Sequence, residues 1–95
     1  DMLRYEGRYM GSDKTGGPFE LKAAPPFERL LVSREREPGQ DYKEWFEWQG
    51  LGRFHHHATV DGRDYSQGLI ALSFKGKEVV IDNLMKRRKF VYAEK

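Results

Sequence analysis

The sequence predicts an all-β domain, a small antiparallel meander of seven or eight strands forming a closed or partly open barrel. Three observations carry this. Short apolar runs alternate with polar residues at period two and recur at roughly ten-residue spacing. Two Trp, five Tyr and six Phe fall mostly within those runs, where flat pleated surfaces accommodate them. Turn dipeptides such as Asp61-Gly62 and Lys75-Gly76 separate one run from the next.

Composition narrows the class further. A chain of 95 residues makes one domain, residues 1–95. Its apolar share is 38% and its charged share 34%, which suits a thin sheet or small barrel with one solvated face. The net charge of +2, from 17 basic and 15 acidic residues, describes a mixed surface rather than a strongly cationic one. The absence of cysteine excludes a disulfide framework and cysteine-based zinc sites. No apolar run approaches the length of a membrane span. The chain opens on Asp1, which fits a cleaved signal segment and a trimmed chain equally.

Taken in order, Leu3, Tyr5, Gly7 and Tyr9 alternate with Arg4, Glu6 and Arg8 and predict a half-buried strand. Residues 11–17 read as a glycine-rich turn. Phe19, Leu21 and Ala23 predict a second strand, ended by Pro25 and Pro26, which cannot donate to a ladder. Residues 27–36 predict a third, with Leu30 and Val32 on one face and Leu31 and Ser33 on the other. A short helix is the rival there, because Glu, Arg and Leu form helices well. Residues 38–41 form a turn.

The aromatic-rich stretch 42–60 predicts a central hairpin. Tyr42, Phe46 and Trp48 occupy its inner face, and Trp45 points outward among Lys43 and Glu47. Helix remains an alternative for 42–49, but Gly50 and Gly52 favour a strand with a bend or bulge. On the returning strand Phe54, His56, Ala58 and Val60 share one face, and His55, His57 and Thr59 the other. Asp61-Gly62 matches a type I′ hairpin turn. Leu69 to Phe74 reads as the most buried strand. Val79, Val80 and Ile81 make the next, and Phe90, Val91 and Tyr92 the last.

Few residues suggest chemistry. His55 and His57 share a face, so two imidazoles stand at a spacing that holds zinc or copper if a third ligand comes from a neighbouring strand. Glu44, Glu47 and Asp64 are the nearest carboxylates for that purpose. The plain alternative is a polar strand face of solvated histidines, with His56 in the core. Nothing fixes a carboxylate pair at catalytic separation, and no Ser-His-Asp arrangement stands out, so the reading is non-enzymatic and implies no cofactor. Lys86, Arg87, Arg88 and Lys89 form a basic run beside Phe90 and Tyr92, with Trp45 expected on an adjacent surface. That combination pairs phosphate contacts with base stacking. A basic turn is also ordinary protection of a sheet edge.

Tyr5-Glu6-Gly7-Arg8-Tyr9-Met10-Gly11 has the form Y-x-G-x-Y-x-G, Leu72-x-Phe74-x-Gly76 follows later, and the chain closes on Phe90-Val91-Tyr92. In this pattern the sequence resembles the small lipocalin-like β-barrel domains of bacterial envelope lipoproteins, although it lacks a lipidated cysteine and a cysteine metal pair. The resemblance implies an exported, non-catalytic protein that binds a small ligand, a peptide or another protein. The expectation is therefore a binding or inhibitory module of the periplasm or cell envelope, with a cytoplasmic location as the alternative. Its contact surface comprises Trp45, Glu47, His55 and His57, since outward aromatic residues are enriched where partners bind. A nucleic-acid-binding barrel using Lys86, Arg87, Arg88 and Lys89 is the second reading, and metal binding by His55 and His57 the third.

Overall fold

The computed structural model describes residues 2–11, 18–25 and 28–92. A short 3-10 helix, Met2–Tyr5, precedes nine strands: β1 (Gly7–Tyr9), β2 (Phe19–Ala24), β3 (Arg29–Arg34), β4 (Tyr42–Gly50), β5 (Arg53–Val60), β6 (Arg63–Asp64), β7 (Gly68–Lys75), β8 (Glu78–Asn83) and β9 (Arg88–Tyr92). They form one antiparallel sheet in the order β1-β2-β3-β4-β5-β7-β8-β9, with β6 also on β5. Among the described residues a single bridge, Gly11 to Tyr92, crosses from the β1 side to β9. The sheet is thus a nearly closed barrel with one unsealed seam. The strand readings of 29–34 and 42–50 prevail over the helical alternatives, because period-two burial runs through both.

The barrel has two unlike ends. At one lie the β2–β3, β4–β5 and β7–β8 connections, and the 3-10 helix closes this end. Met2 and Tyr5 are buried there. The Tyr5 ring stacks on Phe74 at 5.3 Å and meets the edge of Phe54 at 5.4 Å. Together with Leu21 and Leu30 these side chains fill the interior solidly. Tyr9 is almost wholly buried, and its hydroxyl donates to the Tyr5 carbonyl at 2.6 Å. Burial, with the neighbouring Tyr5, pushes the Tyr9 phenol up to about 12. At the other end lie the β3–β4 loop, the β5–β6–β7 excursion and the β8–β9 turn, and here the interior stays open.

Several expectations are corrected. Residues 2–5 are 3-10 helix rather than strand, so Leu3 and Tyr5 do not share a face; Leu3 is 52% exposed. Trp48 keeps the inward parity, opposite buried Phe54, yet is 46% exposed. It sits at the rim, where the register shifts between Trp48 and Gly50 and the strand leaves the packed layer. Strand β7 is not the most buried one: only Ile70 and Leu72 are buried in it, against Phe19, Leu21, Ala23 and Ala24 in β2. The glycine-rich turn lies, from residue 12 onward, outside the described residues, as do Pro26 and Phe27. The 61–62 turn is as expected: Asp61 and Gly62 have φ of 50° and 80°, both positive as type I′ geometry demands.

The corrected N-terminal segment makes a direct prediction. Tyr5→Ala removes a ring wedged between two aromatic partners and lowers stability by about 3 kcal/mol in urea denaturation, whereas Leu3→Ala changes it by less than about 0.5 kcal/mol. Equal losses at both positions would indicate a strand face instead.

Candidate functional site

Strands β3, β4 and β5 place polar residues at inward positions as they approach the open end. On β3 the inward set Leu30, Val32 continues to Arg34; on β4 it runs Tyr42, Glu44, Phe46; on β5 it runs His56, Ala58, Val60. The β3–β4 backbone ladder spans only Arg29 to Leu31 against Glu47 to Trp45. Beyond it, side chains hold the two strands together. Arg34 Nε donates to Glu44 Oε1 at 2.7 Å and Nη2 to Oε2 at 3.3 Å. The Tyr42 hydroxyl donates to the same Oε1. From β5, His56 Nε2 reaches Glu44 Oε2 at 2.7 Å.

The histidine tautomer follows from its other nitrogen. The backbone N–H of Gln67 donates to His56 Nδ1 at 2.9 Å, so Nδ1 carries a lone pair and the proton is on Nε2. His56 is therefore neutral, and its contact with Glu44 is a hydrogen bond rather than an ion pair. Burial alone would push the Glu44 carboxyl up. The hydrogen bonds from His56 and Arg34, with the Arg34 charge, outweigh it and hold Glu44 ionised, with a pKa of about 2. Burial and the bond to Glu44 raise the Tyr42 phenol above its ordinary value. Burial works against the Arg34 charge, but Glu44 more than compensates and raises its pKa. Arg34 also lies over the Phe19 ring at 4.8 Å.

A second cluster shapes the mouth. Between β6 and β7 the chain peels away from β5, and side chains substitute for the missing ladder. Tyr65 N–H still donates to the Ala58 carbonyl at 2.8 Å, but the Ala58 N–H donates to the Ser66 hydroxyl at 3.1 Å. The Ser66 hydroxyl first, and then the Ser66 N–H that donates to the Asp64 carboxylate at 2.9 Å, lower the Asp64 pKa. Asn83, buried on β8, donates from Nδ2 to the Gln67 carbonyl at 3.2 Å and accepts from the Met85 and Lys86 N–H groups. His56 and Asn83 thus fasten residues 65–67 and the β8–β9 turn into one rim. Gly68, with φ of 77°, gives the chain its return to β5; a Cβ there would touch the Met85 side chain at 3.4 Å.

The result is a cavity of about 490 Å³. Arg34, Tyr42, Glu44 and His56 form its polar side. Phe46, Ala58, Val60, Ile70, Ile81 and Tyr92 form its apolar wall, and Tyr65, Gln67, Arg88 and Phe90 lie towards the mouth.

Most of the sequence-derived residues lie elsewhere. Trp45, Glu47, His55 and His57 do share one face, the outer face of β4 and β5. Trp45 stacks on His57 at 4.9 Å, and His57 Nε2 lies 3.3 Å from Glu47. Among the described residues no group of three or more His, Cys, Asp or Glu forms a metal-holding cluster. Glu44, named as a third ligand for His55 and His57, faces the interior instead. Strands β5, β7 and β8 separate Trp45 from the Lys86, Arg87, Arg88 and Lys89 run, so the expected adjacency of aromatic and basic surfaces is not there. Arg88, with the neighbouring Phe90 and Tyr92, does line the cavity. Sequence reading missed Arg34 and named Glu44 only as a carboxylate near the outer histidines, although the same alternation that places Val32 and Phe46 inward places both inward too.

No protein-family model matches the chain, and no curated protein or solved structure matches it.

Because the folded pKa of Glu44 lies below its ordinary value, its contribution is present above about pH 5 and is lost as pH falls towards 2. Wild type therefore loses stability between about pH 5 and pH 3, measured by urea midpoints, and Glu44→Gln loses less over the same interval. Parallel pH dependence in the two proteins would detach the carboxylate from the stability of the fold.

Proposed function

We propose that the chain is a non-catalytic binding module whose open barrel end receives a small ligand with an apolar body and an anionic or hydrogen-bonding end. The observation that carries this is the cavity itself. Its volume of about 490 Å³ falls in the range of small-molecule sites, and its wall is mostly apolar with a few convergent polar groups. The polar groups favour binding over catalysis. Both Glu44 oxygens accept hydrogen bonds, and both His56 nitrogens are engaged, so neither residue is poised to move a proton. Glu44 is neutralised by Arg34, which leaves Arg88 as the cation that gives the mouth its sign. An anionic end group matches that balance.

The lipocalin-like resemblance of the sequence agrees with this use of a barrel interior, and with an exported, cell-envelope protein. Contact with a protein or peptide through the outer face is a second reading. It is supported by Leu31, 41% exposed and opposite Trp45 in the ladder, beside the Trp45–His57 stack.

A dansyl-labelled fatty carboxylate tests the first reading. Its fluorescence rises on binding to the wild type. Arg88→Gln weakens binding about fivefold, as loss of one exposed ion pair should. Ala58→Trp, which fills the cavity, abolishes it, and Lys43→Gln on the outer face leaves it unchanged. No enhancement with folded wild-type protein contradicts the proposal.

A further inference from the structure

The β8–β9 turn carries features that the cavity alone does not use. Met85 is 72% exposed, Phe90 is 42% exposed, and between them stand Lys86, Arg87, Arg88 and Lys89, all exposed. The turn is not a loose loop end. Asn83 Oδ1 accepts from the N–H groups of both Met85 and Lys86 at 3.1 and 3.0 Å, and Lys86 Nζ lies 3.2 Å from Gln67 Oε1. These bonds hold an apolar side chain and a cluster of cations outward at the rim of the open end. Tyr65, 51% exposed, stands on the neighbouring loop.

We propose that this rim docks the barrel mouth onto an anionic lipid bilayer. Basic residues clustered with exposed apolar side chains are the combination that holds a protein at such a surface: cations draw it to the headgroups, and apolar side chains enter the interface. Among the described residues, the acids of this end's loops stand on other connections, Glu35, Glu37 and Asp41 between β3 and β4 and Asp61 and Asp64 around β6, so the approach is tilted onto the β8–β9 side. Asp82 faces Lys89 across the ladder and offsets part of one charge. A bilayer is favoured over nucleic acid because Arg88 and Phe90 belong both to the basic tip and to the cavity lining. Docking there brings the mouth against the source of an amphiphilic ligand. The Trp45–His57 stack is on other strands, which leaves Phe90 and Tyr65 as the rings near these cations, and both also line the cavity. The preference for a bilayer over nucleic acid and the use of docking for ligand entry rest on the cavity reading above; the attraction of the tip to an anionic surface does not.

Co-sedimentation with vesicles tests the inference. Wild type pellets with equimolar phosphatidylglycerol and phosphatidylcholine, not with phosphatidylcholine alone, and is released by high salt. The triple variant Lys86→Gln, Arg87→Gln, Lys89→Gln, which spares Arg88, partitions about a hundredfold less, each cation contributing about fivefold. Met85→Ser weakens partitioning while keeping its salt dependence. Ala58→Trp blocks the cavity and still pellets, so failure of ligand binding and failure of docking are separable. Three results overturn the inference: no pelleting, pelleting that ignores lipid charge, and a triple variant that behaves as wild type. Retention by duplex DNA without retention by vesicles assigns the tip to nucleic acid and overturns it as well.

Discussion

The open end of this barrel depends on one buried carboxylate. Glu44 joins β3, β4 and β5 where the β3–β4 backbone ladder has already stopped. An ionised group this deep is tolerated only when its lone pairs are satisfied. Here Arg34, Tyr42 and His56 all point at it, and no buried side-chain polar atom of the described residues lacks a partner. The cluster substitutes for backbone pairing, and it does so with side chains that leave space between them. That is how a small barrel keeps an interior cavity at one end while the other is filled by Tyr5, Phe54 and Phe74.

The same logic extends outward from His56. Its Nε2 proton goes to Glu44 and its Nδ1 lone pair to the Gln67 N–H, so the ring links the buried anion to the loop at the mouth. Asn83 carries the connection to the β8–β9 turn. Rim geometry and interior charge are coupled through three side chains. Glu44 on β4 is thereby linked to residues 65–67, which lie in the loop between β6 and β7.

Much of the fold was legible because period-two alternation is a direct readout of which face is buried. It put Leu30 and Val32 on one face, set Phe46 and Phe54 inward, and located the Asp61-Gly62 turn. The N-terminal helix was not legible: Leu3 and Tyr5 mimic alternation, and only the tertiary pocket between Phe54 and Phe74 explains why the chain coils there. Trp48 has the parity of a core residue, but parity does not reveal that a position lies at the rim. The candidate site was hidden for a different reason. Arg34 and Glu44 looked like solvated surface by residue type, whereas their parity already placed them with Val32 and Phe46. Charged residues at inward positions on two neighbouring strands, near an inward histidine, were the available signal. The fastening of Gln67 by His56 and Asn83 had no signal in the sequence, since it depends on a break in pairing along β5.

Amide chemical-shift mapping tests the central claim, that the interior of the open end is a ligand site built on the Glu44 cluster. Titration of ¹⁵N-labelled protein with the labelled fatty carboxylate should perturb the amides of Ala58, Gln67, Ile81, Asn83 and Phe90 together. Perturbations confined to Trp45, His55 and His57 on the outer face, or absent altogether, would contradict it.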